Sequence, residues 1–440
     1  MKRQICSILL FIFCVTLQAQ LVTYPEGLKA NMPHNDDYTV RVRIPGGEWE
    51  DLFEYNVQVD MDAVQNASMV QFDMNGTVEV MVKKNNGTVR EVDIRPLSCN
   101  IQYRQNKNVI TFMLDKPQYL SVEFNGDRLH NLHLFANPLE TEVYKKAEKG
   151  IMYFGPGVHA PLDLPNNLIR VLGNTTVYLA PGAVLKAKLL VDGVENVRII
   201  GRGILAHPVR GIEVTNAKNV LIDGITVVNP NHYTVFCAGT KGLTVKNLKS
   251  FSCKSWSDGI DLMCCRDVLI DNVFMRNSDD CIALYNHRWN WWGGSGNITV
   301  QNAVLWADIA HPINIGGHGD PESPVGEVME NLTFRQIDIL EHDEDDVPYQ
   351  GCMAIDCGDK NLVRNVLFED IRVESIQEGR LFHLNVRFNE KYDKAPGRGI
   401  ENVTFRNITY DGLGENPSLI KGFDNSRKVK NVIFDNVVIN

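Results

Sequence analysis

The sequence has little that would tie it to nucleic acid or to a membrane interior. Its 44 Lys and Arg are outnumbered by 54 Asp and Glu, for a formal net charge of −10. Phosphate backbones are held by clustered cations, so nucleic acid is excluded as the main partner and densely anionic ligands are disfavoured. No segment is long and apolar enough for a transmembrane span. The ten cysteines lack the paired CxxC spacing of a zinc site: Cys264-Cys265 and Cys352…Cys357 are spaced otherwise. No small disulfide framework is visible either, so the cysteines read as small core residues. Long helical periodicity is missing too. Apolar residues alternate with period two over short runs, which means strands.

The chain opens "MKRQICSILLFIFCVTLQAQ". Lys2 and Arg3, the apolar run from Ile5 to Leu17 and the small Ala19 read as a signal peptide over residues 1–19. The expected location is therefore outside the cytoplasm, periplasmic or extracellular. Cys14 has no small-residue lipobox before it, which argues against a lipid anchor.

A repeat fills the second half. "ENVRIIGRGI" at Glu195 recurs as "KNVLIDGITV" at Lys218, "KGLTVKNLKS" at Lys241, "RDVLIDNVFM" at Arg266, "GNITVQNAVL" at Gly296, "ENLTFRQIDI" at Glu330, "RNVLFEDIRV" at Arg364, "ENVTFRNITY" at Glu401 and "KNVIFDNVVI" at Lys430, with successive starts 23 to 37 residues apart. Such units suggest a solenoid, because one β-coil cannot bury its own apolar face and stacking supplies a continuous interior. The Asn that opens many units (Asn196, Asn219, Asn297, Asn331, Asn365, Asn402, Asn431) is placed at a corner, with amides stacking coil upon coil. The glycosylation sequons at Asn297, Asn331 and Asn402 then follow from the corner. Residues 20–145 lack the repeat and carry strand-like runs joined by turns such as Asn75-Gly76, the pattern of a β-sandwich. The polar stretch Leu139–Gly150 reads as a linker or short helix. The expected fold is all-β: a β-sandwich over 20–145, then a right-handed parallel β-helix over 146–440.

Chemistry concentrates in "SWSDGIDLMCCRDVLIDNVFMRNSDDCIALY", Ser255 to Tyr285. If one coil is about 21 residues here, Asp258 and the Asp279-Asp280 pair occupy equivalent places on coils stacked roughly 4.8 Å apart. Carboxylates that close raise at least one pKa, giving a protonated and an ionised carboxyl across a short gap, as glycoside hydrolysis requires. The next coil adds "AHPINIGGHGD", with His311 placed to tune the carboxylates and His318 to shape a subsite. Asp261, Asp267 and Asp271 read as turn caps.

In their order, "SDGID", "NSDDCIALY" and "AHPINIGG" resemble the motifs of the polygalacturonase family, glycoside hydrolase family 28, over about residues 150 to 440. A β-sandwich ahead of such a helix is similar to the related dextranase-type family 49. The resemblance implies inversion at the anomeric carbon, with Asp279 as general acid, Asp258 and Asp280 activating water, and His311 beside them. No cofactor or metal is implied. Trp256 stands where the family has Asn. Near "GCMAIDCG" the family's basic pair for a sugar carboxylate is replaced, with Met353 and Ile355 in the expected places. Arg380 and Arg387 one coil later are the candidate substitutes. Trp256, and Trp289, Trp291 and Trp292 in "NHRWNWWGGSG", are candidates for stacking on sugar rings. "EHDEDD" (Glu341–Asp346) reads as a solvated acidic loop. The expectation is a secreted glycoside hydrolase of a poly- or oligosaccharide, other than a plain polygalacturonase. The alternatives are a polysaccharide lyase and a non-catalytic glycan-binding protein.

Overall fold

The computed structural model describes residues 19–25, 32–161, 167–412 and 416–440. The expected signal peptide falls almost wholly on residues 1–18, outside the described residues. Among those described there is one 3-10 turn, Leu97–Cys99, and no α-helix; Leu139–Gly150 contains none.

Strands from Gln20–Thr23 to Asp127–Pro138 form one six-stranded and one five-stranded sheet. Period-two patterning decides their faces. In Tyr38–Arg43 and Val78–Lys84 alternate residues are buried. Val40, Val42, Val80 and Val82 thereby meet Phe72, Leu132 and Leu134 of the other sheet.

From Ile151–Phe154 onward each core strand pairs in parallel with its counterpart one coil on. Ten short strands, from Leu168–Arg170 to Leu419–Lys421, make one wall of the solenoid. The inward side chains, such as Val214, Cys237, Leu262, Leu284 and Ile315, belong to one continuous core. The corner asparagines take φ between 53° and 59°, a region Asn tolerates better than most residues. Their amides form the expected ladder. Asn219 donates to Asn196 at 2.7 Å, Asn365 to Asn331 at 3.2 Å and Asn431 to Asn402 at 2.9 Å. The sequon asparagines spend their amide nitrogens in the same way.

The two units share a hydrophobic cluster in which Val57, Val59 and Phe135 of the sandwich meet Phe251, Phe274 and Trp306 of the coils. Buried charges cross the same boundary in pairs, as such burial demands: Arg202 holds Asp73 at 2.8 Å, and Arg95 holds Glu341 at 2.9 Å. All eight cysteines beyond Cys14 are unpaired, and six are buried. The Sγ atoms of Cys237 and Cys265 lie 3.5 Å apart, a contact and not a bond.

Candidate active site

The ten-strand wall carries the site on the turns that enter three successive strands, Ile260–Met263, Ile282–Tyr285 and Ile313–Gly316. Ile260 pairs with Ile282 and Ile282 with Ile313. The coil is therefore 22 residues long here, not 21. This corrects the equivalence expected from the spacing: Asp258 stacks on Asp280, and Asp279 on Ser257. The backbone confirms the register, with Gly259 N–H donating to Asp280 O and Cys281 N–H to His311 O, both at 2.8 Å. Gly259 is required by close approach, since a Cβ there would lie 2.2 Å from Cys281 O.

A buried polar layer fixes these turns. Ser257 Oγ donates to Lys254 O at 2.6 Å, closing the turn before Asp258. Asn277 donates to Ser250 and Ser252 at 3.0 and 2.8 Å, tying the turn before Asp279 to the previous coil.

Asp258, Asp279 and Asp280 each place a carboxylate oxygen within 4.8 Å of the others. Their surroundings differ. Asp280 Oδ1 accepts from His311 Nδ1 at 2.7 Å, and its Oδ2 from Asn314 at 2.7 Å and the Tyr285 hydroxyl at 3.3 Å. That is the surrounding of an anion. The second ring nitrogen of His311 faces Tyr349 O at 2.5 Å. With acceptors on both sides, the ring is an imidazolium. Burial opposes its charge, but Asp280 outweighs burial and lifts the pKa to about 9.

Asp279 accepts from Trp256 N–H at 2.9 Å and from Asp280 N–H at 3.0 Å. Burial first, and the Asp280 charge second, raise its pKa to about 6. Asp258 is pushed up much further, by burial and then by Asp261, Asp279 and Asp280.

Asp261 belongs to the same cluster. It is fully buried, its pKa is likewise raised by burial and by Asp280, and neither oxygen meets a hydrogen-bond donor. Its charge is among those that raise Asp258. The turn-cap reading of Asp261 is thus corrected. The trio could also gather around a divalent cation, which takes oxygen ligands.

Arg288 was not singled out from the sequence. The hairpin His287–Arg288 with Trp291–Trp292 brings it within electrostatic reach of Tyr233, Tyr285 and Asp261. Its Nη1 meets His318 Nε2 at 2.5 Å, and its buried Nε has no partner. Burial and the charges of Arg288 and Arg387 push His318 down to about 3, so its ring is neutral. Arg288, His287, Trp289, His318, Lys391 and Lys394 line a cavity of about 360 Å³. Its one acid, Asp359, is occupied by the backbone amides of Lys394 and Ala395. A larger cavity of about 690 Å³, against Tyr119, Asn302 and Arg372, holds no candidate residue.

The remaining candidates divide. Trp256 (67 % exposed) and Trp292 are well exposed, whereas the Trp289 ring, though partly exposed, has Arg210 and Arg288 over it at 5.2 and 5.1 Å. Trp291 instead packs edge-on against Phe236 at 5.2 Å. Met353 and Ile355 point into the solenoid core, so the outward places on that strand belong to Ala354 and Asp356. No basic pair stands there. Arg387 is no open substitute: buried, it holds Asp356 at 3.1 Å and lies over the Tyr349 ring. Arg380 is turned into the chain, donating to Val347 O at 3.1 Å. "EHDEDD" is not simply solvated either, because Glu341, His342 and Glu344 are buried.

Residues 180–440 match the family described as Glycosyl hydrolases family 28. "Probable endopolygalacturonase D" of Neosartorya fischeri is 24 % identical over 215 residues, 48 % of this chain and 40 % of that protein. The chain spans less than half the length of the first curated relatives it matches. Among solved structures, Dex49A from Penicillium minioluteum superposes with a TM-score of 0.57 at 16 % identity, covering 95 % of this chain and 96 % of that one. The Yersinia enterocolitica family 28 exopolygalacturonase gives 0.51 at 12 % identity, covering 83 % and 96 %. At such identities these structures bear on the fold alone, which in Dex49A is matched over both units.

Proposed function

The chain belongs to glycosyl hydrolases family 28, and from that premise we propose that it is an exported enzyme cleaving a branched or substituted polysaccharide, or an oligosaccharide from one, by an inverting three-aspartate mechanism. The observation that carries the reading is the convergence of Asp258, Asp279 and Asp280 within 4.8 Å beside a charged His311. Asp279, the half-buried member with a pKa near 6, gives its proton to the leaving glycosidic oxygen as the C–O bond breaks. Asp280, anionic against His311 and Asn314, takes a proton from the water whose oxygen attacks the anomeric carbon. Asp258, stacked on Asp280, orients that water. Trp256 and Trp292 offer ring faces to flanking sugars.

Unsubstituted polygalacturonate is disfavoured as substrate because Ala354 and Asp356 replace the basic pair. The cavity walled by Arg288, Lys391 and Lys394 suits an anionic group at a different position along the glycan. Reducing-sugar release from polygalacturonate, xylogalacturonan and dextran, wild type beside Asp279→Asn, tests the proposal. Activity on a glycan that the variant lacks supports it; equal glycan binding by both with no turnover by either would mean a binding protein. An unsaturated, ultraviolet-absorbing product would mean a lyase.

The stereochemistry has its own test. NMR of the first-formed anomer should show inversion, and a retained anomer would refute the three-aspartate mechanism.

A further inference from the structure

We propose that the β-sandwich is part of the catalytic unit: its loop from Asp60 to Ala63, between strands Tyr55–Val59 and Gln65–Asn75, positions the Ser278–Asp279 segment. The role assigned to Asp279 rests on the hydrolase reading above; the contacts do not.

The loop reaches both turns of the site. Met61 N–H donates to Ser278 Oγ at 3.0 Å, one residue before Asp279. Ser255 Oγ approaches Met61 Sδ at 3.5 Å, one residue before Trp256. Trp256 in turn donates its backbone N–H to Asp279. The loop thus touches the acid's own turn and the turn that hydrogen-bonds to it.

The loop is itself held in shape. Asp60 sits at φ 55°, and its Oδ1 accepts from the N–H groups of Asp62 and Ala63, both at 3.1 Å. Asp60 N–H donates to Asp308 Oδ2 at 3.1 Å. Asp308 carries the second brace. It pairs with Arg276 at 3.0 Å, and Arg276 is wholly buried two residues before Ser278. The other face of the Arg276 guanidinium is taken by the sandwich, through Asn131 Oδ1 at 2.9 Å and His133 Nε2 at 3.1 Å. Burial and the charge of Arg276 keep the His133 ring neutral, so its lone pair is free to accept.

A module tethered for glycan capture has no need of such contacts. Here the backbone leading into Asp279 is clamped from below by Arg276 and from the side by Met61, and the sandwich supplies partners to both. Displacement of about 1 Å at a reacting group can cost 10²-fold in rate, so these contacts bear on turnover more than on substrate affinity. Asp60, Met61 and Ser278 are positioning residues.

The experiment compares full-length wild type with Asp60→Ala, which uncaps the loop, and Ser278→Ala, which removes the acceptor for Met61. Hydrogen exchange of peptides covering residues 274–282 needs no substrate. Steady-state kinetics use whichever panel glycan the wild type cleaves. Exchange at 274–282 is expected to quicken in both variants, and kcat to fall about tenfold with KM within about twofold. The double variant should lose less than the product of the singles, because both act on one contact. Unchanged exchange with unchanged kcat overturns the proposal. So does a lowered melting temperature with normal exchange and kcat in the folded fraction, which marks a merely structural interface. If the wild type cleaves no glycan, the hydrolase reading fails, while the exchange result still decides whether the sandwich positions this segment.

Discussion

Asp279 provides the most direct test of the chemistry, through pH alone. Two backbone N–H groups, of Trp256 and Asp280, favour its charged form. Burial and the Asp280 carboxylate oppose them and prevail, giving a pKa of about 6 against 3.8 for an ordinary aspartate. That difference of about two units corresponds to roughly 3 kcal/mol favouring the protonated form. His311, with its pKa near 9, keeps its charge throughout this range and does not titrate alongside. If Asp279 donates the proton, kcat/KM should hold on its alkaline side up to about pH 6 and then fall about tenfold per pH unit. An exposed acid would begin that fall about two units lower. Initial rates of reducing-sugar release between about pH 4 and pH 9, with unfolding followed at each pH, measure the limb. A profile that declines from about pH 4, or stays level to pH 8, refutes the assignment. An Asp279→Glu variant with residual activity and a displaced limb would tie the titration to this side chain.

Other consequences follow from the same cluster. His311 has a raised pKa, so its contribution to stability is complete below the ordinary value of 6.5 and is lost as pH rises through about 9. His311→Gln should therefore cost about 3 kcal/mol near pH 6 and much less above pH 9 in urea unfolding; equal losses at both would contradict the ion pair. Asp261 also has a raised pKa, so the fold favours its protonated form, and that stability disappears as pH climbs above the unfolded value. Asp261→Asn should raise the melting temperature at neutral pH, not near pH 4, and should displace the pH profile of hydrolysis by removing a charge that raises Asp258. Arg288→Gln should raise KM about tenfold on glycans with anionic groups and leave neutral ones within about twofold; equal effects on both would remove the charge-reading role. Exhaustive chelation should leave the rate unchanged, and a loss restored by calcium would replace protons by a cation at the trio.

The β-helix was legible because its corners and its core obey local rules. Asn at a left-handed corner, followed by alternating apolar residues, says where a coil turns without reference to any distant residue. The aspartate trio was legible because it recurs about one coil apart. What the spacing could not supply is register. Counting from Asp258 to Asp279 gives 21, whereas the paired strands place Ile260 on Ile282. Asp261 was obscured for a related reason: an Asp three residues past a turn resembles a cap until the neighbouring coil is known to bury it. Arg288 was hidden by its loop, where the tryptophans carry the stronger signal and only the hairpin turns the guanidinium toward Asp261. Arg387 misled in the opposite sense, because its partner Asp356 comes from the preceding coil, and a lone arginine in sequence looks free.

The register has a chemical consequence. In a parallel solenoid the neighbour of each residue is set by coil length, and side chains alternate faces along each strand. With 22 residues between Ile260 and Ile282, the doubled aspartate divides its labour. Asp280 falls in the stacked file between Asp258 and His311, where it gains His311, Asn314 and Tyr285 as donors. Asp279 falls over Ser257, less deeply buried, with only two backbone N–H groups to stabilise its charge. A coil one residue shorter would shift both by one place, setting Asp279 over Asp258 and moving Asp280 over Gly259. It would also reverse the faces of Ile282 and Leu284, which the core cannot accommodate. The same apolar alternation that closes the solenoid therefore decides which of two adjacent, chemically identical carboxyls meets His311 and Asn314 and which meets only backbone N–H groups.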